Sequence, residues 1–189
     1  MTHVVLLHSV LGLRPVEQEV AAAFEADGHT VALPDLYDGR TADGYDAGFH
    51  LKDEVGDALM LARAREALRA APPDAVLAGL SLGAFLLGEL WGERPEARGV
   101  LLLSGVAPWM EPRRPGLPVQ AHVARPDPFD DEDTFAAWAD AADGVALELH
   151  RYDGAGHLFL DRSLPDHDAA AAALCLERCQ AFLRRLDGR

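Results

Sequence analysis

Ser81 lies in the stretch Ala75-Val-Leu-Ala-Gly-Leu-Ser-Leu-Gly-Ala-Phe85, and Gly79-Leu-Ser81-Leu-Gly83 fits the G-x-S-x-G pattern of a nucleophile elbow. Such a turn holds the serine in a strained backbone conformation with its hydroxyl clear of the sheet. Strand and helix then pass so closely that only glycine fits at 79 and 83. The following helix aims its free N–H groups and dipole at whatever sits on Ser81. Alone, the same five residues also describe an ordinary glycine-rich turn. A serine hydroxyl is a weak nucleophile and needs a base that an acid orients. Two suitable groups occur further on: Asp127 in Arg125-Pro-Asp-Pro-Phe129, and His157 in Gly154-Ala-Gly-His-Leu-Phe159. Asp130 and Asp131 rival Asp127 by position but read as the start of the next helix. The backbone N–H groups of Leu82 and Val10, with Leu11 as the fallback, are expected to stabilise a developing oxyanion.

The elements that must position these groups follow from hydrophobic periodicity. Val4–Leu7, Thr30–Leu33, Ala75–Leu80, Gly99–Leu103, Val119–Ala124 and Val145–His150 read as six strands. The last of them alternates and reads as an edge. Helices are predicted from Pro15 to Asp27 (Val16, Val20, Ala23 and Phe24 inward), Leu51 to Ala71 (Val55, Leu59, Ala62 and Leu68), and Leu82 to about Glu93. Two more run from Asp131 to Ala142 and from Asp166 to Leu186, the last with Leu174, Cys175, Phe182 and Leu186 inward. Asp35–His50 and Val106–Pro118 read as loops. Strands alternating with helices predict one α/β domain over residues 1–189: about six parallel strands with helices on both faces. The expected order is second, first, third, fourth, fifth, sixth. Ligands then bind at the switch between the first and third strands, where the His8 loop and Ser81 both open.

Composition narrows the function classes. A net charge of −14 and a pI near 4.8 argue against nucleic acid or an anionic membrane surface as partners. The apolar run at Met1–His8 is too short for a signal peptide or a membrane span, so a cytoplasmic protein is expected. Cys175 and Cys179 read as small apolar residues with no further ligand nearby, and neither metal nor cofactor is expected. His8 closes a strand at the crevice, where a pocket or a structural role is open to it. His3, His29, His50, His122, His150 and His167 read as edge or surface residues.

Taken together, these pieces resemble the dienelactone hydrolase family of α/β-hydrolases over nearly the full length. The resemblance rests on Pro34-Asp-Leu-Tyr37, Gly79–Gly83, Asp127-Pro-Phe129, Gly154-Ala-Gly-His157 and the helix start at Asp168, and on the order Ser81, Asp127, His157. It implies a minimal α/β-hydrolase fold and metal-free cleavage of an ester, lactone or related acyl bond. The namesake enzymes of the family carry a Cys where this chain has Ser81, and a Glu in the loop where Ser9 aligns. Both departures argue against dienelactone itself and for a serine carboxylesterase or lactonase acting on a small substrate. Acyl transfer or thioester hydrolysis by the same triad, and a non-catalytic binding module on the same fold, are the alternatives. Ser9, Leu11, Tyr37 and Trp109 are expected to contact substrate. The loops bearing Tyr37, Tyr45, Phe49, Trp109 and Met110 are expected to wall the site, while Arg14 and Arg40 read as solvated surface charges. A homodimer through the edge strand or the final helix is compatible with the sequence.

Overall fold

A computed structural model describes residues 1–188. Six strands form one sheet: β1 His3–Leu7, β2 Thr30–Ala32, β3 Val76–Leu80, β4 Val100–Leu103, β5 Pro118–Arg125 and β6 Ala146–Asp153. Their order is β2-β1-β3-β4-β5-β6, and every neighbouring pair is parallel. This is the topology the sequence predicts, with the switch between β1 and β3. All five residues of β3 and all four of β4 are buried. Successive side chains point to opposite faces, so the centre of the sheet is covered on both. The six helices are α1 Pro15–Ala26, α2 Tyr45–Val55, α3 Asp57–Ala70, α4 Leu82–Leu87, α5 Glu132–Asp140 and α6 Ala169–Leu186.

Three helices differ from expectation, each for a reason outside local periodicity. The expected loop 35–50 ends in α2, which begins at Tyr45. Gly48 hides it from a propensity reading, yet an added Cβ there would lie 2.8 Å from Leu11 Cδ2 and 3.0 Å from the Val10 carbonyl. Gly48 thus lets α2 lie against the loop after β1. The expected single helix 51–71 breaks at Gly56, which takes φ +81°. The break shifts the phase of α3: Met60, Ala64 and Leu68 face the core, and Leu59 is exposed. The helix expected to reach Glu93 stops at Leu87, and a short 3-10 turn follows at Trp91–Glu93. At Gly88 the chain packs so tightly on Pro108 that a Cβ would meet its ring at 2.5 Å.

The final helix starts at Ala169, capped by Asp168, whose carboxylate accepts the N–H groups of Ala170 and Ala171 at 2.9 Å. Leu174 is exposed, and Cys175, Cys179, Phe182 and Leu183 face the core instead. His29 and His122, expected at an edge or the surface, are buried. His122 sits on β5 and meets α6, with Nε2 3.5 Å from Cys179 Sγ. Among the described residues, no helix is long and apolar enough to cross a membrane.

The tightest approach in the fold is glycine on backbone. A Cβ at Gly79 would lie 2.3 Å from the Gly83 carbonyl carbon, and one at Gly83 would lie 2.3 Å from the Leu7 carbonyl oxygen. Neither neighbour is a side chain that can swing away. Gly83→Ala is therefore expected to cost more than about 3 kcal/mol in denaturant unfolding, well above the usual penalty of an alanine substitution. A loss below about 1 kcal/mol would show that α4 and β1 separate easily.

Candidate active site

Ser81 follows β3 directly and adopts φ 51° and ψ −109°, a region that costs a residue with a Cβ about 1–3 kcal/mol. The turn is held by the Ser81 N–H donating to the Leu103 carbonyl at 2.8 Å and the Phe85 N–H donating to the Ser81 carbonyl at 3.1 Å. Ser81 Oγ lies 2.9 Å from His157 Nε2. His157 Nδ1 lies 2.8 Å from Asp127 Oδ2, and Asp127 Oδ1 accepts the Phe129 N–H at 2.9 Å. An ionised carboxylate only accepts, so Nδ1 donates and Nε2 presents its lone pair to the serine hydroxyl. Each of the three expected residues sits just past the end of its strand, and the structure joins them in one hydrogen-bonded chain.

The loop carrying His157 is braced from α2. Asp166 Oδ2 accepts both the Leu158 N–H at 3.0 Å and the Tyr45 hydroxyl at 2.6 Å. Burial and then the Asp166 carboxylate push the Tyr45 phenol above its ordinary range, so it remains a donor. Phe129 sets its ring edge-on to His157, with centroids 4.5 Å apart.

Opposite, the loop after β1 is fixed from below. Glu17 is fully buried and accepts the Ser9 N–H at 3.1 Å and the Arg14 N–H at 2.9 Å. His8 is also buried: its Nε2 accepts the Leu36 N–H at 3.0 Å, and Nδ1 donates to the Ser9 carbonyl at 2.7 Å. Burial lowers its pKa, which keeps it neutral and structural. Among the described residues, neither the Val10 N–H nor the Leu82 N–H has an acceptor. Val10 and Leu82 both line the cleft at Ser81, a space of about 230 Å³.

That cleft is also lined by Tyr45, Phe49, Lys52, Phe85, Ser104, Val106, Phe129 and Asp130. Tyr45 and Phe49 were expected there, but the four residues singled out as substrate contacts lie elsewhere. Ser9 is buried, and its hydroxyl accepts the Leu11 N–H at 3.3 Å. Leu11 is buried in the core. Tyr37 is buried beside His8, with ring centroids 4.8 Å apart. Trp109 is stacked between Trp91 and Trp138, at 5.5 and 4.6 Å, and donates to the Trp138 carbonyl. Burial turns Ser9, Leu11 and Tyr37 inward, and stacking holds the half-buried Trp109 away from the cleft. Arg40 pairs with Glu54 on the surface as expected. Arg14 is buried instead, bonding the Ala42 carbonyl and Ser163 Oγ and lying 3.5 Å from Asp161.

Two cleft residues carried no sequence signal. Ser104, just past β4, takes φ 51° and lines the cleft with a buried hydroxyl that has no partner among the described residues. Phe85 is the exposed apolar residue of α4, whose buried residues are Gly83, Ala84, Leu86 and Leu87. Away from the cleft, His122, Cys175 and Cys179 are the one group among the described residues with three metal-capable atoms together, within 4.8 Å. Both ring nitrogens of His122 already have protein partners, Tyr152 Oη at 2.7 Å and Gln120 Oε1 at 2.9 Å.

Burial pushes the Glu17 carboxyl up to about 7, although the Ser9 and Arg14 amides pull it down. A folded-state pKa above the unfolded one means that the folded chain holds the proton more tightly. Stability from this group is then lost as the pH rises from the ordinary carboxylate range through 7. Glu17→Gln cannot ionise. Its melting temperature is expected to gain on that of the unchanged protein between pH 5 and pH 8, by a margin on the order of 3 kcal/mol in stability. Thermal unfolding at both pH values checks this, and a constant gap would show that Glu17 does not titrate there.

The comparisons with known proteins bear on the family and the fold. The dienelactone hydrolase family model matches residues 1–186. No curated protein matches the sequence. Among solved structures, the dienelactone hydrolase-like promiscuous phosphotriesterase P91 from metagenomic libraries superposes with a TM-score of 0.77 at 21% identity, covering 98% of this chain and 87% of that one. Esterase 2 of Thermogutta terrifontis, solved phosphoramylated by tabun, gives 0.69 at 17% identity, covering 98% and 83%. An α/β-superfamily hydrolase from Xanthomonas campestris gives 0.63 at 26% identity, covering 96% and 99%. With a six-stranded parallel sheet in the expected order and a family match over nearly its whole length, the chain belongs to the dienelactone hydrolase family.

Proposed function

We propose that this protein is a serine hydrolase that cleaves a small ester or lactone through an acyl-enzyme. The observation that carries the reading is the hydrogen-bonded chain from Ser81 Oγ through His157 to Asp127, opening into a cleft. In this reading His157 Nε2 takes the hydroxyl proton as Ser81 Oγ attacks the acyl carbon, and Asp127 stabilises the imidazolium. The Val10 and Leu82 N–H groups receive the oxyanion, each worth about 3 kcal/mol. The tetrahedral intermediate collapses, the bond to the leaving oxygen breaks, and His157 hands that oxygen its proton. Water then repeats the sequence on the acyl-enzyme and releases the acid.

A cleft of about 230 Å³ favours a small substrate, because ligand pockets commonly span about 300–1,000 Å³.

A small fluorophosphonate is expected to label Ser81, and His157→Ala to abolish the label, as read by peptide mapping. Ser81→Ala should lower kcat/KM for a short ester by at least about 10⁴-fold, and Asp127→Asn by about 10³–10⁴-fold. A folded protein that takes no label would refute the reading.

A further inference from the structure

We infer that the cleft is built for neutral esters bearing an aromatic group, and that it disfavours substrates bearing a carboxylate. The inference rests on the hydrolase reading above and names the substrate class of that site.

The first observation is where the exposed apolar surface lies. Six large apolar side chains are exposed among the described residues, and the three phenylalanines among them, Phe49, Phe85 and Phe129, all line this cleft. They are 43%, 55% and 45% exposed. They come from three separate segments: α2, α4 and the loop after Asp127. No single amphipathic stripe therefore accounts for their convergence. Leaving such rings in water is unfavourable, and their gathering at one concave site marks a binding surface.

The second observation is the geometry of the rings. Phe129 meets Tyr45, Phe49 and His157 edge to face, at centroid distances of 5.2, 5.9 and 4.5 Å and interplanar angles of 65°, 60° and 67°. Rings set at such angles to one another cannot all offer the same aspect to a guest in the cleft they line. A planar aromatic guest gains from faces and edges alike, because its own quadrupole is attracted in stacked and edge-on arrangements. A saturated guest of the same size gains only the burial.

The third observation concerns charge. Lys52, a cation in the lining, already has its Nζ 2.8 Å from Asp57 and 3.8 Å from Asp53. Arg14 and Arg40 are committed elsewhere. Asp130, by contrast, lines the cleft, and its carboxyl is pushed upward by burial and by Asp127. An entering carboxylate meets the same opposition, within a chain of net charge −14.

The test compares esters with matched leaving groups, so that intrinsic reactivity does not decide the outcome. Benzyl acetate is set against cyclohexylmethyl acetate. Methyl 4-(acetoxymethyl)benzoate is set against 4-(acetoxymethyl)benzoate, with acetate release followed in both so that cleavage of the methyl ester is not counted. Fluorophosphonate labelling of Ser81 is run in parallel on every variant. Benzyl acetate is expected to exceed its saturated partner in kcat/KM by about fivefold, an advantage that shrinks in Phe85→Leu and Phe49→Leu. The neutral methyl ester is expected to exceed the carboxylate by about tenfold, and Asp130→Asn should narrow that gap. Labelled Ser81 with no preference for the aromatic ester, or with a preference for the carboxylate, overturns the inference and leaves the hydrolase reading intact. Absence of both label and hydrolysis with every ester removes that reading, and the inference with it.

Discussion

Everything at the site depends on two glycines that let backbone touch backbone. Gly79 in β3 and Gly83 in α4 allow the nucleophile-bearing turn to close against β1 at a distance no side chain permits. That closeness has two consequences. It drives Ser81 into a positive φ with its hydroxyl at the mouth of the cleft. It also brings the start of α4 beside the loop after β1, so that Leu82 and Val10, from separate elements, line one cleft. Strain at Ser81 persists because packing around it is over-determined, and that persistence makes the geometry ready before any ligand arrives.

The second requirement is that mobile-looking loops be held still. The sheet order places the ends of β1, β3, β5 and β6 on one edge, but strand ends alone do not orient side chains. Buried and half-buried polar groups finish the task. Glu17 and His8 pin the loop after β1, while Asp166 ties the His157 loop to Tyr45 on α2. Each of these is hydrogen-bonded, which is the condition under which burying a polar group specifies structure rather than costing it. The cost of desolvation remains visible at Glu17, whose carboxyl is raised toward neutrality.

The cleft itself follows a different logic from its floor. Ser81, His157 and Asp127 are a polar relay, but the walls around them are phenylalanine and tyrosine. Exposed apolar rings are tolerated here because they surround a small concave space and support one another edge to face. The charged lining groups are one paired lysine and one partly buried aspartate.

The strands, their order and the three side chains that the structure joins at the cleft were legible in the sequence because each carries a local signal. Continuous apolar runs mark buried strands, glycines mark the elbow, and Asp127 and His157 each follow a strand. What the sequence hid depends on contacts between distant segments. Gly48 reads as a helix breaker until α2 is seen lying on the Val10–Leu11 loop, and Gly56 looks tolerable inside a helix until its positive φ divides it. Ser9, Leu11, Tyr37 and Trp109 sit in loops, yet burial turns the first three inward and stacking holds Trp109 away from the cleft. Phe85 and Ser104 carried no motif and nevertheless line the cleft. Period and motif report which elements form and which atoms can react. Which face of a loop meets solvent is set by partners tens of residues away, and only the folded chain decides it.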